Sequence, residues 1–339
     1  RPRLDGDLLR WSWLFARACR RRNVERGAPL LRDLALGSRA LFEELDELTG
    51  RVSELEKHGL LNLCKTPETL EHEAEGHVRI ARELGVEARV LDAAQVAAME
   101  PGLRFDVAGA VYFPIDSHLT PARFATALTG LIEKMGVRLL FNTTVQSWRT
   151  EQGQISAVQT TAGELVADEF VLAGGSWSPS LVAGLGIRLP LQAGKGYSLT
   201  LARPRLRPKH PMVFAEARVA MTPMGDALRF GGTMELSGVN AVLRPERVRQ
   251  IVDSVARYLP DFREDDFAGT EPWCGLRPVT PDGLPYIGRF GRRRNLIAAT
   301  GHAMLGLTLA PITGRLVADV VSNRKTAVSL EYLHPDRYA

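Results

Sequence analysis

The sequence of 339 residues has few cysteines, no long apolar run and no dominant sign of charge. Cys19, Cys64 and Cys274 are odd in number, lie far apart and match no metal-ligand spacing. This favours a reducing cytosolic setting over a disulfide framework, and we expect no metal site. The longest apolar runs fall short of the roughly 18 to 20 residues of a spanning helix, and we expect neither a signal peptide nor a membrane span.

The charge pattern also excludes classes of partner. The formal net charge is +4, and the Lys and Arg residues are scattered instead of forming a stripe. A nucleic-acid partner is therefore disfavoured, whereas a mildly cationic surface suits small anionic substrates. At this length two domains are expected, and the apolar content is sufficient for both cores.

The first helix predicted by periodicity runs from Leu8 to Arg22. Its apolar side is formed by Leu8, Trp11, Phe15 and Cys19, and its basic side by Arg10, Arg17 and Arg21. We expect the apolar stripe to pack on the protein's own core. A second interpretation stays open, because Trp and Phe beside Arg also suit a membrane surface.

The middle of the chain alternates between helix and strand signals. A helix starting at Pro121 is expected to bury Met135, and the segment VRLLFNTTVQSW (137–148) is predicted to be a strand. A buried strand over 170–173 ends at Gly174 and Gly175, which completes an α/β unit. Consecutive strand signals over 189–236 then predict an antiparallel sheet inserted between pieces of the α/β domain.

Two motifs near the C-terminus point to chemistry. In WCGLRPVTPDGLPYIG (273–288), Arg277 lies on a segment stiffened by glycine and proline, and its guanidinium can bind a carboxylate through two parallel hydrogen bonds. In NLIAATGHAMLGLTLAPITGRLVADVV (295–321), a strand ends at Gly301 and a helix follows. The start of such a helix is an anion site that can stabilise negative charge gathering on a ring.

These motifs, together with NTTV, VLAGGSWS and GKGYSLT, resemble the D-amino-acid oxidase superfamily of FAD-dependent oxidoreductases, and are most similar to D-amino-acid dehydrogenases of the small-subunit type and glycine oxidases. The resemblance runs from about Asp116 to the C-terminus and implies FAD as cofactor. The family's N-terminal GxGxxG turn, which holds the FAD pyrophosphate, does not occur in this sequence. We therefore expect an N-terminally truncated member that lacks at least one βαβ unit.

The resemblance implies an α/β fold of two interleaved domains. One is a Rossmann-like FAD-binding domain without its N-terminal βαβ unit, and the other is an antiparallel-sheet substrate domain. The expected division is a helical segment over 1–50 that packs on the FAD domain, substrate domain over 51–115, FAD domain over 116–188, substrate domain over 189–272, and the C-terminal part of the FAD domain, with the flavin cradle, over 273–339.

The same resemblance assigns site residues. For substrate binding it implies Arg277 as carboxylate anchor, with Met304, Met234 and Tyr197 lining the pocket, although Tyr197 could equally be a core tyrosine. For the cofactor it implies Val145 and the cradle residues Gly301, His302, Ala303, Met304, Leu305, Gly306, Leu307 and Thr308. No side chain is assigned a catalytic role, because the flavin performs the redox step.

The implied activity is oxidative deamination of a D-amino acid, or oxidation of a cyclic imino acid such as proline or hydroxyproline, with electrons passed to a quinone or another carrier. Ala220 stands where glycine oxidases carry a substrate-binding tyrosine, which argues for a substrate larger than glycine. Two alternatives stay open: an O2-dependent glycine or sarcosine oxidase, and a flavin-free fragment or structural subunit. The expected location is cytoplasmic, with peripheral contact at the inner face of a membrane as the less favoured option.

Overall fold

The computed structural model describes residues 5–339, so that the first four residues of the predicted helical segment lie outside the description. The helices are α1 (Gly6–Ala18), α2 (Arg21–Leu48), α3 (Pro67–Glu73), α4 (Arg79–Glu83), α5 (Ala93–Met99), α6 (Pro121–Lys134), α7 (Ser178–Ala183), α8 (Pro245–Tyr258) and α9 (Ala310–Val321). Within these residues, no helix is both long and apolar enough to cross a membrane.

The strands belong to three sheets. They are β1 (Leu60–Cys64), β2 (Arg89–Asp92), β3 (Gly109–Phe113), β4 (Val145–Glu151), β5 (Gln154–Thr160), β6 (Gly163–Leu165), β7 (Phe170–Leu172), β8 (Gln192–Leu201), β9 (Met212–Phe214), β10 (Val219–Met224), β11 (Ala227–Glu235), β12 (Trp273–Val279), β13 (Tyr286–Phe290) and β14 (Arg293–Thr300).

The largest sheet has eight strands in the order β12-β8-β11-β10-β9-β1-β3-β2. The ladders that join β8, β11, β10 and β9 are antiparallel, as the strand signals over 189–236 predicted, and β1 pairs with β9 in parallel. One face of this sheet packs on α8, where Phe230 and Met212 meet Ile251 and Val255 in a buried core. The other face is therefore available for a site.

Two small sheets complete the fold, in the orders β13-β14-β7 and β4-β5-β6. A second core lies between them and contains Phe170, Leu172, Leu296 and Tyr286. Helices α2 and α9 pack against each other through Leu34, Ile312 and Leu316. The predicted domain boundaries remain predictions. The strand β12, with which the predicted C-terminal part begins, is an edge strand of the large sheet.

The N-terminal helix is amphipathic as predicted, but its predicted packing was largely wrong. Trp11 is buried, and its indole Nε1 donates a hydrogen bond of 3.0 Å to the carbonyl oxygen of Val279. Phe15 stacks on Trp11 yet is 46% exposed, Cys19 is exposed, and Trp13 on another side is 57% exposed. Of the four residues of the predicted apolar side only Trp11 is buried, so that periodicity alone did not identify the buried side.

The strand predicted from residue 137 was also partly wrong. Pairing begins only at Val145, and the preceding Leu140 and Phe141 are exposed. Met135, which was expected to be buried, is exposed just after the end of α6. A strand needs a neighbouring strand for its backbone groups, and among the described residues 137–141 pair with no strand.

Candidate active site

The free face of the large sheet is shaped by two glycines on β8. Arg277 on β12 pairs with Gly194, and Gly275 pairs with Gly196. A side-chain carbon at Gly196 would overlap the guanidinium of Arg277, and one at Gly194 would overlap the sulfur of Met234. Both glycines thus leave room for Arg277 and Met234 to lie across the sheet.

Arg277 is held at one nitrogen only. Its Nη1 donates a hydrogen bond of 2.7 Å to the carbonyl oxygen of Thr233, which lies in an irregular stretch of β11 and has φ of +71°. Burial lowers the pKa of the guanidinium from its usual value. Among residues 5–339, no carboxylate forms an ion pair with Arg277, so that the positive charge lacks a counterion and can receive an anionic group.

A loop that leads into α9 lies beside β12. It begins at Gly301, whose φ of +82° suits glycine, and His302 forms a bridge with Val279 of β12. A short 3-10 helix (Ala303–Leu305) follows and packs against β12. The first turn of α9 has no side-chain cap at Leu309, but the N–H groups of Leu309 and Ala310 donate to the carbonyl oxygens of Leu305 and Leu307, and Pro311 has no N–H. The start of α9 therefore attracts negative charge through its helix dipole.

The side chains of this loop are unusually open to solvent for apolar residues. Met304 is 70% exposed, and Leu305 and Leu307 are exposed to a smaller extent. A ring compound laid on the loop would cover them and remove apolar surface from water. The predicted cradle residues, Gly301 to Thr308, therefore form one continuous surface next to the strand that carries Arg277.

His302 is a structural member of this loop. Its Nε2 lies 2.9 Å from the hydroxyl oxygen of Thr313 on α9, and burial lowers the pKa of its imidazole to about 4. The ring is therefore neutral at pH 7.

Two predicted site residues lie away from this surface. Tyr197 is 1% exposed, lies on the opposite face of the large sheet and donates a hydrogen bond of 2.9 Å to Glu235. It does not line the pocket, because alternate residues of a strand face opposite sides and Gly194 and Gly196 already face Arg277. Val145 begins β4 in another sheet, where it packs against the second core.

Sequence reasoning missed two residues on the free face. Trp273 lies over Gly275, and the guanidinium of Arg229 lies 5.1 Å from the centre of the Trp273 ring. Burial lowers the pKa of Arg229, whose Nη2 donates a hydrogen bond of 3.1 Å to Ser198. The signal was available in the alternation of β12, because Trp273, Gly275 and Arg277 are spaced by two residues.

Ala220 lies on the same face. Direct cross-strand partners share a face, and the series Trp273, Ser198, Gly231 and Ala220 connects β12 to β10. Its small side chain leaves space where a larger residue would project. Among residues 5–339, no group of His, Cys, Asp and Glu side chains is arranged to hold a metal ion.

Comparison with known proteins places these features in context. A family model described as FAD dependent oxidoreductase (DAO) matches residues 10–320. The D-amino acid dehydrogenase of Granulibacter bethesdensis is 34% identical over 344 aligned positions, which cover 100% of this chain and 81% of that protein. The D-amino acid dehydrogenase of Paramagnetospirillum magneticum is 34% identical over 341 positions, with 99% and 80% covered.

Solved structures show the same architecture. The glycine oxidase from Geobacillus kaustophilus superposes with a TM-score of 0.81 and 31% identity, covering 91% of this chain and 83% of that one. The L-proline dehydrogenase from P. horikoshii superposes with a TM-score of 0.79 at 22% identity, covering 90% and 82%, and shows likeness of fold alone.

Proposed function

Because the chain belongs to the DAO family of FAD-dependent oxidoreductases, we propose that it oxidises a D-amino acid, or a related imino acid such as proline or hydroxyproline. The observation that carries this proposal is the guanidinium of Arg277, partly desolvated and without a carboxylate partner, beside the loop over 301–308. The family membership confirms the predicted two-domain α/β fold and the predicted cofactor, FAD.

The flavin end of FAD fits the residues that are present. The exposed side chains of Met304, Leu305 and Leu307 offer apolar surface for a ring, and α9, which begins directly after this loop, turns the positive end of its helix dipole towards it. When bound, FAD supplies the acceptor of a hydride. Val145 is proposed to contact the adenosine portion through its backbone. The sequence contains no GxGxxG turn for the diphosphate.

Arg277 performs the positioning that the reaction needs. Its planar guanidinium is proposed to bind the substrate carboxylate through two hydrogen bonds, while Met234 and Met304 form apolar walls that exclude water from the Cα–H bond. The amine loses its proton to solvent before it reacts, since His302 is bonded to Thr313 and its pKa of about 4 makes it a weak base. The imino acid that results takes up water and yields a 2-oxo acid and ammonia, whereas a cyclic substrate yields an imine.

The choice of D-amino acid and of a carrier other than O2 rests on relatives. Those at 34% identity are named D-amino acid dehydrogenase, and a quinone or another carrier is the proposed electron acceptor. A second candidate, an O2-dependent oxidase of glycine or sarcosine, is supported by the likeness to the Geobacillus glycine oxidase. The small Ala220 favours a larger substrate and hence the first candidate.

The test is a substrate panel on the FAD-loaded protein. D-alanine, D-proline, glycine, sarcosine and the L-enantiomers are added without O2, and bleaching of the flavin absorbance is followed together with 2-oxo acid or imine formation. D-amino acids are expected to bleach the flavin fastest. Rapid reduction by glycine, with stoichiometric peroxide when air is admitted, would favour the second candidate. A chain that retains no flavin even when it is fused to a GxGxxG unit would instead favour a structural subunit.

A further inference from the structure

A cavity of about 340 Å³ lies between α2 and the free face of the large sheet. Leu36 and Phe42 of α2 and Met224 of β10 contribute apolar walls, and loop residues 115–119 close one side. Arg277 does not line it. Strands β10 and β12 are three positions apart in the sheet, which corresponds to about 14 Å at the usual strand spacing. The cavity is therefore separate from the proposed carboxylate site.

The cavity contains hydrogen-bonding groups without partners. Among residues 5–339, Arg39 Nε, Ser117 Oγ and His118 Nδ1 are buried atoms without a hydrogen-bond partner, and all three side chains line this cavity. The side chain of His118 is only 8% exposed, and its other nitrogen lies 3.8 Å from a carboxylate oxygen of Glu56. Leaving a buried polar atom unsatisfied costs about 1 to 3 kcal/mol. Three such atoms around one cavity indicate a ligand that accepts hydrogen bonds.

The charges of the lining favour a neutral ligand. Two cationic side chains, Arg39 and Lys57, and two carboxylates, Glu43 and Asp116, line the cavity. Lys57 lies 2.9 Å and Arg39 3.7 Å from Glu43, so that the cations already have a carboxylate between them. An added anion would meet Glu43 and Asp116 without a free counterion. An uncharged molecule with acceptor oxygens avoids this repulsion.

The cavity is joined to the candidate active site by the cradle loop. The loop begins at the bridge between His302 and Val279 and ends at Leu307 and Thr308, which both line the cavity. Ser38 of α2 donates a hydrogen bond of 2.5 Å to the carbonyl oxygen of Thr308, which fixes this end of the loop against the cavity wall. A ring on the loop would thus have the carboxylate site at one end and the cavity at the other.

We propose that this cavity binds the compound that finally accepts the electrons, and that this compound is a quinone. A quinone is a neutral apolar ring with carbonyl oxygens at opposite edges, which suits donors that come from α2 on one side and from Ser117 and His118 on the other. This rests on the proposed function. In the balanced reaction the amino acid loses two electrons and two protons from its C–H and N–H bonds and becomes an imino acid. The quinone gains two electrons and two protons and becomes a hydroquinone.

Binding can be measured without turnover. Duroquinone, whose fully substituted ring does not alkylate cysteine, is titrated into the full chain by isothermal titration calorimetry, with and without FAD. His118→Leu removes the donor and keeps an apolar side chain, and it is expected to weaken duroquinone binding about tenfold. Leu36→Trp fills the cavity from its partly exposed rim and is expected to abolish binding. His72→Leu, the same change at an exposed position of α3, is the matched control and should bind like the wild type.

Other outcomes would overturn the proposal. Unchanged duroquinone affinity in both His118→Leu and Leu36→Trp, with far-UV circular dichroism unchanged, would place the quinone elsewhere. Octanoate that binds as tightly as duroquinone and competes with it would show that the cavity takes anions. The proposed amino-acid oxidation has its own test, because Arg277→Ala should impair amino-acid binding and leave duroquinone binding unchanged. Failure of one proposal is thus distinguishable from failure of the other.

Discussion

At the scale of single residues, the guanidinium of Arg277 differs in its environment from the arginines of the surface ion pairs. Surface arginines such as Arg79 pair with a carboxylate and remain hydrated, whereas Arg277 is partly desolvated and has a single carbonyl partner. A desolvated cation without a counterion lowers the stability of the protein unless an anionic ligand binds to it. This asymmetry is the physical basis for the proposed carboxylate site.

Replacing Arg277 tests that role. In the FAD-loaded enzyme Arg277→Ala should lower kcat/KM by about 100- to 1000-fold, because it removes a charge-assisted bidentate pair worth roughly 3 to 4 kcal/mol. Arg277→Lys should recover only part of the loss, since a point charge cannot reproduce the planar fork. Stopped-flow flavin reduction measures both, and flavin content should not change.

A matched pair of glycine variants controls for general damage. Gly196→Ala should mimic Arg277→Ala, because its added carbon overlaps the guanidinium, whereas Gly130→Ala in α6 adds a carbon that meets nothing within 4 Å. If Arg277→Ala reduces flavin at the wild-type rate and half-saturation, the substrate anchor lies elsewhere.

The low pKa of His302 predicts how the stability of the protein depends on pH. Its folded-state pKa of about 4 is below the roughly 6.5 of an unfolded chain, so that between these values the unfolded state binds the extra proton. The stability of the wild type should therefore fall as pH drops from about 6.5 towards 4, by about 2 kcal/mol at pH 5 from this group. His302→Gln, which keeps a polar contact for Thr313, should flatten this part of the profile. Urea unfolding at pH 7 and pH 5 gives the comparison, and an identical pH slope in both proteins would contradict it.

At the scale of secondary-structure elements, α1 leaves several large apolar side chains exposed. Leu9 and Trp13 are 61% and 57% exposed, and the guanidinium of Arg17 lies 4.6 Å from the centre of the Trp13 ring. Further basic residues, Arg20, Arg21 and Arg22, follow at its C-terminal end. Exposed aromatic and aliphatic side chains beside arginines are typical of helices that lie at a membrane surface.

We expect the chain to co-sediment with vesicles that contain anionic lipid. The double change Leu9→Ser and Trp13→Ser should lower the bound fraction about tenfold or more, because each side chain contributes roughly 1.5 to 3 kcal/mol when fully buried. Charge reversal of Arg17 and Arg21 should weaken binding further and more strongly at low salt. Leu48→Ser, at a 68% exposed position of α2, is the matched control. If all variants sediment equally, or if the wild type does not sediment, α1 has a purely structural role.

At the scale of the whole molecule, this chain contains the residues expected at the flavin end of the FAD site but not the GxGxxG turn expected at the diphosphate end. The cradle loop and α9 are in place, whereas the sequence has no GxGxxG turn. Strand β7 is the edge of its sheet, and Val171 on it is 48% exposed. This edge has room for the parallel strand that precedes a GxGxxG turn. Backbone N–H groups and a helix start supply much of the affinity for a diphosphate.

The 339-residue chain is therefore expected to bind FAD weakly. Fusion of the strand, GxGxxG turn and helix of a relative ahead of residue 1 should increase the affinity at least about a hundredfold, as several charge-assisted hydrogen bonds are gained. Isothermal titration of both proteins measures this. A fusion whose glycines are changed to alanine is the control, and equal FAD affinity in all three proteins would contradict the expectation.

Several features of this protein were readable from its sequence alone because they depend on neighbours along the chain. Helix starts and ends follow from local hydrogen-bonding groups and glycine conformations, as at Pro121 of α6 and Gly50 after α2. The alternating strands over 189–236 and the glycine turn at 301 are local in the same sense. The motifs around Arg277 and Gly301 sufficed for the family, since each motif is a continuous segment.

Only the tertiary structure decided which residues meet across the fold. Alternation places Tyr197 and Gly196 on opposite faces of β8, but the register of β12 against β8 determines that Arg277 lies on the glycine face. Trp11 is the buried residue of α1, and its indole reaches the carbonyl oxygen of Val279, which lies far away along the chain. The atoms without partners in Arg39, Ser117 and His118 belong to two segments that are distant in sequence and meet only when α2 packs over the sheet. No local sequence pattern predicts this meeting, because it depends on long-range packing.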